Sequence, residues 1–162
     1  MLWGDIILSY EDAIDYIDKD VTVLCWDYAK DPWLERIEIV RKSGLRQIVC
    51  PGVSGWDGLL ERPEISVDNI TKLSEFGFEN KAAGMMTTSW GDYGNAASFQ
   101  CVLYGTTLGV CKAWNISSKA DETFEKTISS KVYGVGENII PTIREVGILQ
   151  DNASWKTFFS GK

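Results

Sequence analysis

Trp90 and Asp92 stand two residues apart in the run Met85-Met86-Thr87-Thr88-Ser89-Trp90-Gly91-Asp92-Tyr93-Gly94. The Trp offers a flat apolar face and the Asp offers acceptors. A sugar ring has C–H faces to stack on the first and hydroxyls to bind to the second. The same pairing recurs at Trp3 with Asp5, at Trp26 with Asp27 and at Trp56 with Asp57. The plainer alternative is a set of Trp residues that plug the core, with Asp residues that cap the helices behind them.

Four apolar runs would have to carry these pairs. Residues 1–7 read as a strand end. Val21-Thr22-Val23-Leu24-Cys25-Trp26 is β-branched and almost wholly apolar, as in a buried parallel strand. Gln47-Ile48-Val49-Cys50-Pro51 and the stretch 82–89 read the same way. Helical patterns lie between them. Ser9 suits an N-cap for a helix to about Ile17. Trp33, Leu34, Ile37 and Val40 have helical spacing, with Gly44 as the stop. Ser66 suits the cap of a helix that Gly77 ends. A long helix is expected over 97–114. The alternation implies parallel strands joined by right-handed crossovers, with each Trp at a strand's carboxyl end. In such sheets the ligand crevice lies there. Beyond Ser117, helices are expected over 123–132 and 138–146, packed outside the sheet, followed by an aromatic segment around Trp155, Phe158 and Phe159.

The totals narrow the function. The chain has 162 residues, 44% of them apolar, which suits one globular domain. A whole eight-stranded α/β barrel needs ~250 residues. A net charge of -7 argues against nucleic-acid binding. The absence of His removes Ser-His and Cys-His nucleophiles and argues against a zinc site. No metal or other cofactor is expected. Cys25, Cys50, Cys101 and Cys111 form no CxxC pair and read as reduced thiols of a cytoplasmic protein. No apolar run approaches the ~20 residues of a membrane span, and no leader pattern opens the chain.

The runs Leu2-Trp3-Gly4-Asp5, Val23-Leu24-Cys25-Trp26-Asp27-Tyr28 and Thr87-Thr88-Ser89-Trp90-Gly91-Asp92-Tyr93-Gly94 resemble the last four βα units of family 20 glycoside hydrolases, the β-N-acetylhexosaminidases. The resemblance runs from Trp3 to about Trp114. It implies an α/β fold, a partial (β/α)8 TIM barrel over 1–116 with a helical extension over 117–162. It implies binding of N-acetylhexosamine-containing glycans. Trp26, Trp56 and Trp90 would wall the pocket for the sugar and its N-acetyl group, with Trp3, Asp5 and Asp27 beside them. Asp92 would hold outer hydroxyls, one methylene shorter than the family's usual Glu. Tyr28 is a candidate for the tyrosine that holds the acetamide oxygen.

That family's chemistry is substrate-assisted, and it needs an adjacent Asp-Glu pair after the fourth strand. Here the only such dipeptide is Asp121-Glu122, where a helix opening accounts for it. The expectation is therefore the carboxyl-terminal half of a hexosaminidase barrel, with sugar-pocket residues but no catalytic residue, inactive alone. Such a half should pair through its exposed sheet edges, with its missing amino-terminal half or with a second copy, cover them with its tail, or aggregate. A non-catalytic carbohydrate-binding domain and a purely structural α/β domain are the alternatives.

Overall fold

Val23, Cys25 and Val49 alternate with their neighbours along two strands and are buried on one side of a sheet. Side chains along a strand alternate between faces, so Leu24 and Trp26 project from the other side. The computed structural model describes residues 1–10, 12–56, 58–92 and 97–150. Asp57, Tyr93, Gly94 and the aromatic segment around Trp155 lie outside the described residues.

The strands are β1 (Leu2–Trp3), β2 (Thr22–Trp26), β3 (Arg46–Cys50) and β4 (Gly84–Met85). They form one parallel sheet in the order β1-β2-β3-β4. The helices are α1 (Asp5–Leu8), α2 (Glu35–Ser43), α3 (Pro63–Glu79), α4 (Leu103–Trp114), α5 (Glu122–Lys131) and α6 (Ile140–Leu149). Short 3-10 turns span Ala13–Tyr16 and Phe99–Val102. The chain is thus α/β with parallel strands.

The main core sets Val23, Cys25 and Val49 of the sheet against Ile37 and Val40 of α2 and Leu73 of α3. Gln47 is buried there, and both ends of its amide are engaged. It donates to the Ile37 carbonyl (3.1 Å) and accepts from Cys25 Sγ (3.4 Å). A second cluster joins Val53, Ile70, Val102 and Leu108, closing α3 on α4. A third joins Tyr104, Ile128 and Ile140, so α5 and α6 pack on α4. Arg144 of α6 adds ion pairs to Glu64 of α3 (3.1 Å) and Glu125 of α5 (2.7 Å).

Several boundaries differ from expectation. Asp5 and the apolar residues after it form α1 instead of continuing a strand. Ser9 closes that helix, its hydroxyl donating to the Asp5 carbonyl (2.7 Å), and a 3-10 turn replaces the helix expected over 9–17. Ser66 caps nothing: it is buried inside α3, where its Oγ accepts the Ser54 N–H (2.9 Å). Gly77 does not end α3. A Cβ there would come within 2.7 Å of Val49, so glycine lets the helix lie directly on β3. The segment expected to be helical from residue 97 begins as a 3-10 turn, and the α-helix starts only at Leu103. Gly44 does stop α2, in the left-handed region at φ 77°.

The four thiols are free. Among the described residues, no helix is long and apolar enough to cross a membrane.

Candidate functional site

Parallel pairing continues past β4 and brings two strand ends level. The Thr88 N–H donates to the Pro51 carbonyl (2.9 Å), and the Val53 N–H donates to the Thr88 carbonyl (2.8 Å). Trp90 and the loop after β3 therefore emerge side by side. Trp3 pairs in register with Leu24, which sets it on the same face as Trp26.

At these carboxyl ends lies a cavity of about 320 Å³, lined by Trp3, Trp26, Tyr28, Trp56, Trp90 and Asp92. Tyr28 is at its centre. Its ring stacks on Trp26 (centroids 4.8 Å apart, 29° between planes). It meets Trp56 at 5.2 Å and Trp90 at 6.4 Å, both tilted. Trp3 and Trp90 meet at 5.9 Å. These separations are those of favourable aromatic pairs. The Trp90 indole N–H donates to the Tyr28 hydroxyl (2.7 Å). Burial pushes the Tyr28 phenol above its ordinary range, opposed by hydrogen bonds with Thr88 and Trp90. Near neutral pH the group is a neutral hydroxyl.

Two residues hold Tyr28 in place. Asn69 of α3 is fully buried. Its Nδ2 donates to the carbonyls of Asp27 (2.9 Å) and Ala29 (2.7 Å), and its Oδ1 accepts the Gly52 N–H (2.9 Å). One side chain thus ties together the loops after β2 and β3. Gly52 supplies the floor, because a Cβ there would lie 2.5 Å from the Tyr28 ring. A Gly52→Ala variant is expected to displace Tyr28 and break its contact with Trp90. Near-ultraviolet circular dichroism should weaken while the far-ultraviolet spectrum stays the same. An unchanged near-ultraviolet spectrum would count against this packing.

The carboxylates fare differently. Asp92 reaches the cavity. Asp27 lies beside it, but its two oxygens accept the N–H groups of Ala29 (2.9 Å) and Trp33 (3.0 Å). That carboxylate organises its own loop. Asp5 sits in the first turn of α1, and its carboxylate does not line the cavity. The Asp121 carboxylate caps α5, accepting the Phe124 N–H at 2.9 Å.

A second hollow of similar size, about 330 Å³, opens beside the start of β4, between the carboxyl-terminal ends of α3 and α4. Its walls are largely apolar, with Phe78, Met85 and Trp114 prominent. Lys112, the one cation among its described lining residues, is already held by Glu75 (2.6 Å) and the Ile116 carbonyl (2.9 Å). It lacks convergent free polar groups, so the aromatic cavity is the better site. Burial pushes the thiols of Cys25 and Cys50 up to about 12, so neither supplies a thiolate near neutral pH.

Sequence reading missed Asn69 and Gly52. A signal existed for the first: Ser66, Asn69, Ile70 and Leu73 fall on one helical face, and a buried amide on an apolar stripe needs partners. No family model matches the chain, and no curated protein is similar enough to count as a relative.

Proposed function

We propose that this chain forms the sugar-binding side of a retaining β-N-acetylhexosaminidase. In this reading residues 1–116 are the last four βα units of a (β/α)8 barrel, and 117–162 are a helical extension on it. The observation that carries the reading is the convergence of one aromatic from each of four consecutive strand ends, with Tyr28 and Asp92, on a single cavity. Four adjacent parallel strands in sequential order are also what four neighbouring staves of a barrel would be.

Each group then has a task. The Trp faces take the C–H surfaces of the ring and the acetamide methyl. The Tyr28 hydroxyl faces the acetamide oxygen. Asp92 accepts from the outer hydroxyls. In the substrate-assisted reaction the acetamide oxygen attacks the anomeric carbon while an acid protonates the departing oxygen. Among the described residues Asp92 is the only carboxylate that lines the cavity, and in this reading it serves the hydroxyls. In this reading the proton donor and the acetamide-orienting carboxylate come from another segment. Within the described residues, the outer edges of β1 and β4 have no strand partner. They suit pairing with the first half of a barrel or with a second copy of the chain. A cytoplasmic setting fits the free thiols.

Titration with N-acetylglucosamine, followed by tryptophan fluorescence, tests the reading. Saturable binding is expected, with no hydrolysis of an aryl N-acetylglucosaminide by this chain alone. Trp90→Ala should weaken binding about tenfold, or ~1.4 kcal/mol, through loss of a stacking face and of the Tyr28 contact. Absence of saturable binding, or equal binding by the variant, would overturn it.

A further inference from the structure

Glu61 is fully buried, and its two oxygens are treated unequally. Oε2 accepts the N–H of Gly105 at 3.0 Å, and Ser66 adds a side-chain hydrogen bond to the carboxyl. Oε1 has no hydrogen-bond partner among the described residues. Gly105 is the third residue of α4. That helix has no cap of its own, because Val102 stands at its N-cap position. The first N–H groups of a helix need acceptors from elsewhere. Glu61 supplies one from 44 residues upstream.

The position of Glu61 in the chain gives this contact a wider meaning. It lies on the returning limb of the loop that carries Trp56. Beside it, the Arg62 N–H donates to the Ser54 carbonyl (2.9 Å) and closes the neck of that loop. The Glu61 N–H donates to the Cys101 carbonyl (3.1 Å), in the turn that leads from the Trp90–Asp92 segment into α4. Behind it, the Glu61 carbonyl lies where a Cβ on Gly147 of α6 would fall, at 2.7 Å. The seat is shaped for a carboxyl group: a Cβ at Gly105 would collide with Oε1 and lie 3.1 Å from Val53.

We propose that Glu61 is a positioning residue for the aromatic cavity, clamping the Trp56 loop to the amino end of α4 and so fixing the spacing between the Trp56 and Trp90 walls. The inference concerns the cavity's shape and does not depend on which ligand fills it.

The clamp has two protonation states near neutral pH. Burial pushes the carboxyl up to about 7, while the hydrogen bonds from Gly105 and Ser66 act in the other direction. Neutral, the group has a proton to place. Ionised, it gains from the α4 amino terminus but stays buried with one oxygen unpartnered. Among the described residues, the ionisable groups around it are Arg62, next along the chain, Cys101, whose carbonyl takes its N–H, Tyr104 of α4 and Tyr133 between α5 and α6, which feel its charge, and Glu64 and Arg144, which act with it on Tyr104. The phenols of Tyr104 and Tyr133 are held above the ordinary range chiefly by burial. Arg144 is engaged by Glu64 and Glu125. None of these phenols or cations changes charge between pH 5 and 9. The folded protein holds the Glu61 proton more tightly than the unfolded chain does. The contribution of Glu61 to stability therefore declines as pH rises from about 4.5 to about 7, and it levels off above.

The test follows near-ultraviolet circular dichroism and tryptophan fluorescence of the full chain from pH 5 to 9, with far-ultraviolet spectra as a check on folding. The wild type should show a transition centred near 7. Glu61→Gln, which keeps the shape and cannot ionise, should lose the transition and keep the acid-form signal. Trp56→Phe should shrink the transition. A flat wild-type profile, an unchanged transition in Glu61→Gln, or an undiminished one in Trp56→Phe would each overturn the proposal.

Discussion

Asn69→Ala is expected to be the most damaging single change near the cavity, lowering folding stability by roughly 2–4 kcal/mol. The side chain it removes is fully buried and satisfies three backbone groups. Two of these, the carbonyls of Asp27 and Ala29, lie nearer the surface, and water can replace their partner. The third is the N–H of buried Gly52, and it would be orphaned. An unsatisfied buried donor costs about 1–3 kcal/mol, and the lost volume adds to that. Urea unfolding should show a lower midpoint with an unchanged slope. Asn69→Leu separates the two contributions, because it fills the space and makes no hydrogen bond. If the Leu variant is as stable as the wild type, the hydrogen bonds are not what holds the two loops. Loss of near-ultraviolet signal should accompany the loss of stability, since the Asp27–Ala29 stretch carries Tyr28.

Gly109→Ala should also destabilise, against the trend for its position. In an ordinary helix interior, alanine for glycine gains about 1 kcal/mol. Gly109 lies inside α4, but a Cβ there would collide with the Thr87 hydroxyl and come within 2.9 Å of Thr87 Cβ. Thr87 belongs to the run that delivers Trp90. Overpacking of this kind costs about 1–3 kcal/mol, which exceeds the propensity gain. At about 2–4 °C per kcal/mol for a chain of this size, the melting temperature should fall by several degrees. A rise would mean that α4 is free to move off the sheet.

What was legible in the sequence follows from which forces are local. β2 was readable because a buried strand is a nearly continuous apolar run, and β3 because Ile48-Val49-Cys50 is a short one. The end of α2 was readable because Gly44 takes a conformation that other residues avoid. The aromatic cavity was readable as a set, because each Trp falls at the end of such a run. Trp3, Trp26, Trp56, Trp90 and Asp92 do converge, and Tyr28 joins them at the centre. The fate of Asp27 was not readable. A carboxylate beside a Trp serves a ligand or its own loop equally well on spacing alone, and here two backbone N–H groups take it. Ser66 and Gly77 misled because serine and glycine are not confined to helix ends. Buried, they serve packing and a distant N–H. Glu61 and Asn69 act across 44 and 42 residues, and no local pattern encodes such a partner.

The cavity's walls come from positions 3, 26, 28, 56 and 90, and the bond from Trp90 to Tyr28 spans 62 residues. No single strand–helix unit contains even half of the ring. A chain with its helices formed but its strands unpaired would have every residue of the cavity and none of its optical asymmetry. Each parallel pairing must close a long crossover before its contacts form, so the aromatic signal should be the last to appear on refolding. The ring is therefore a clock for the molecule: it marks the moment at which all four strands have found their neighbours.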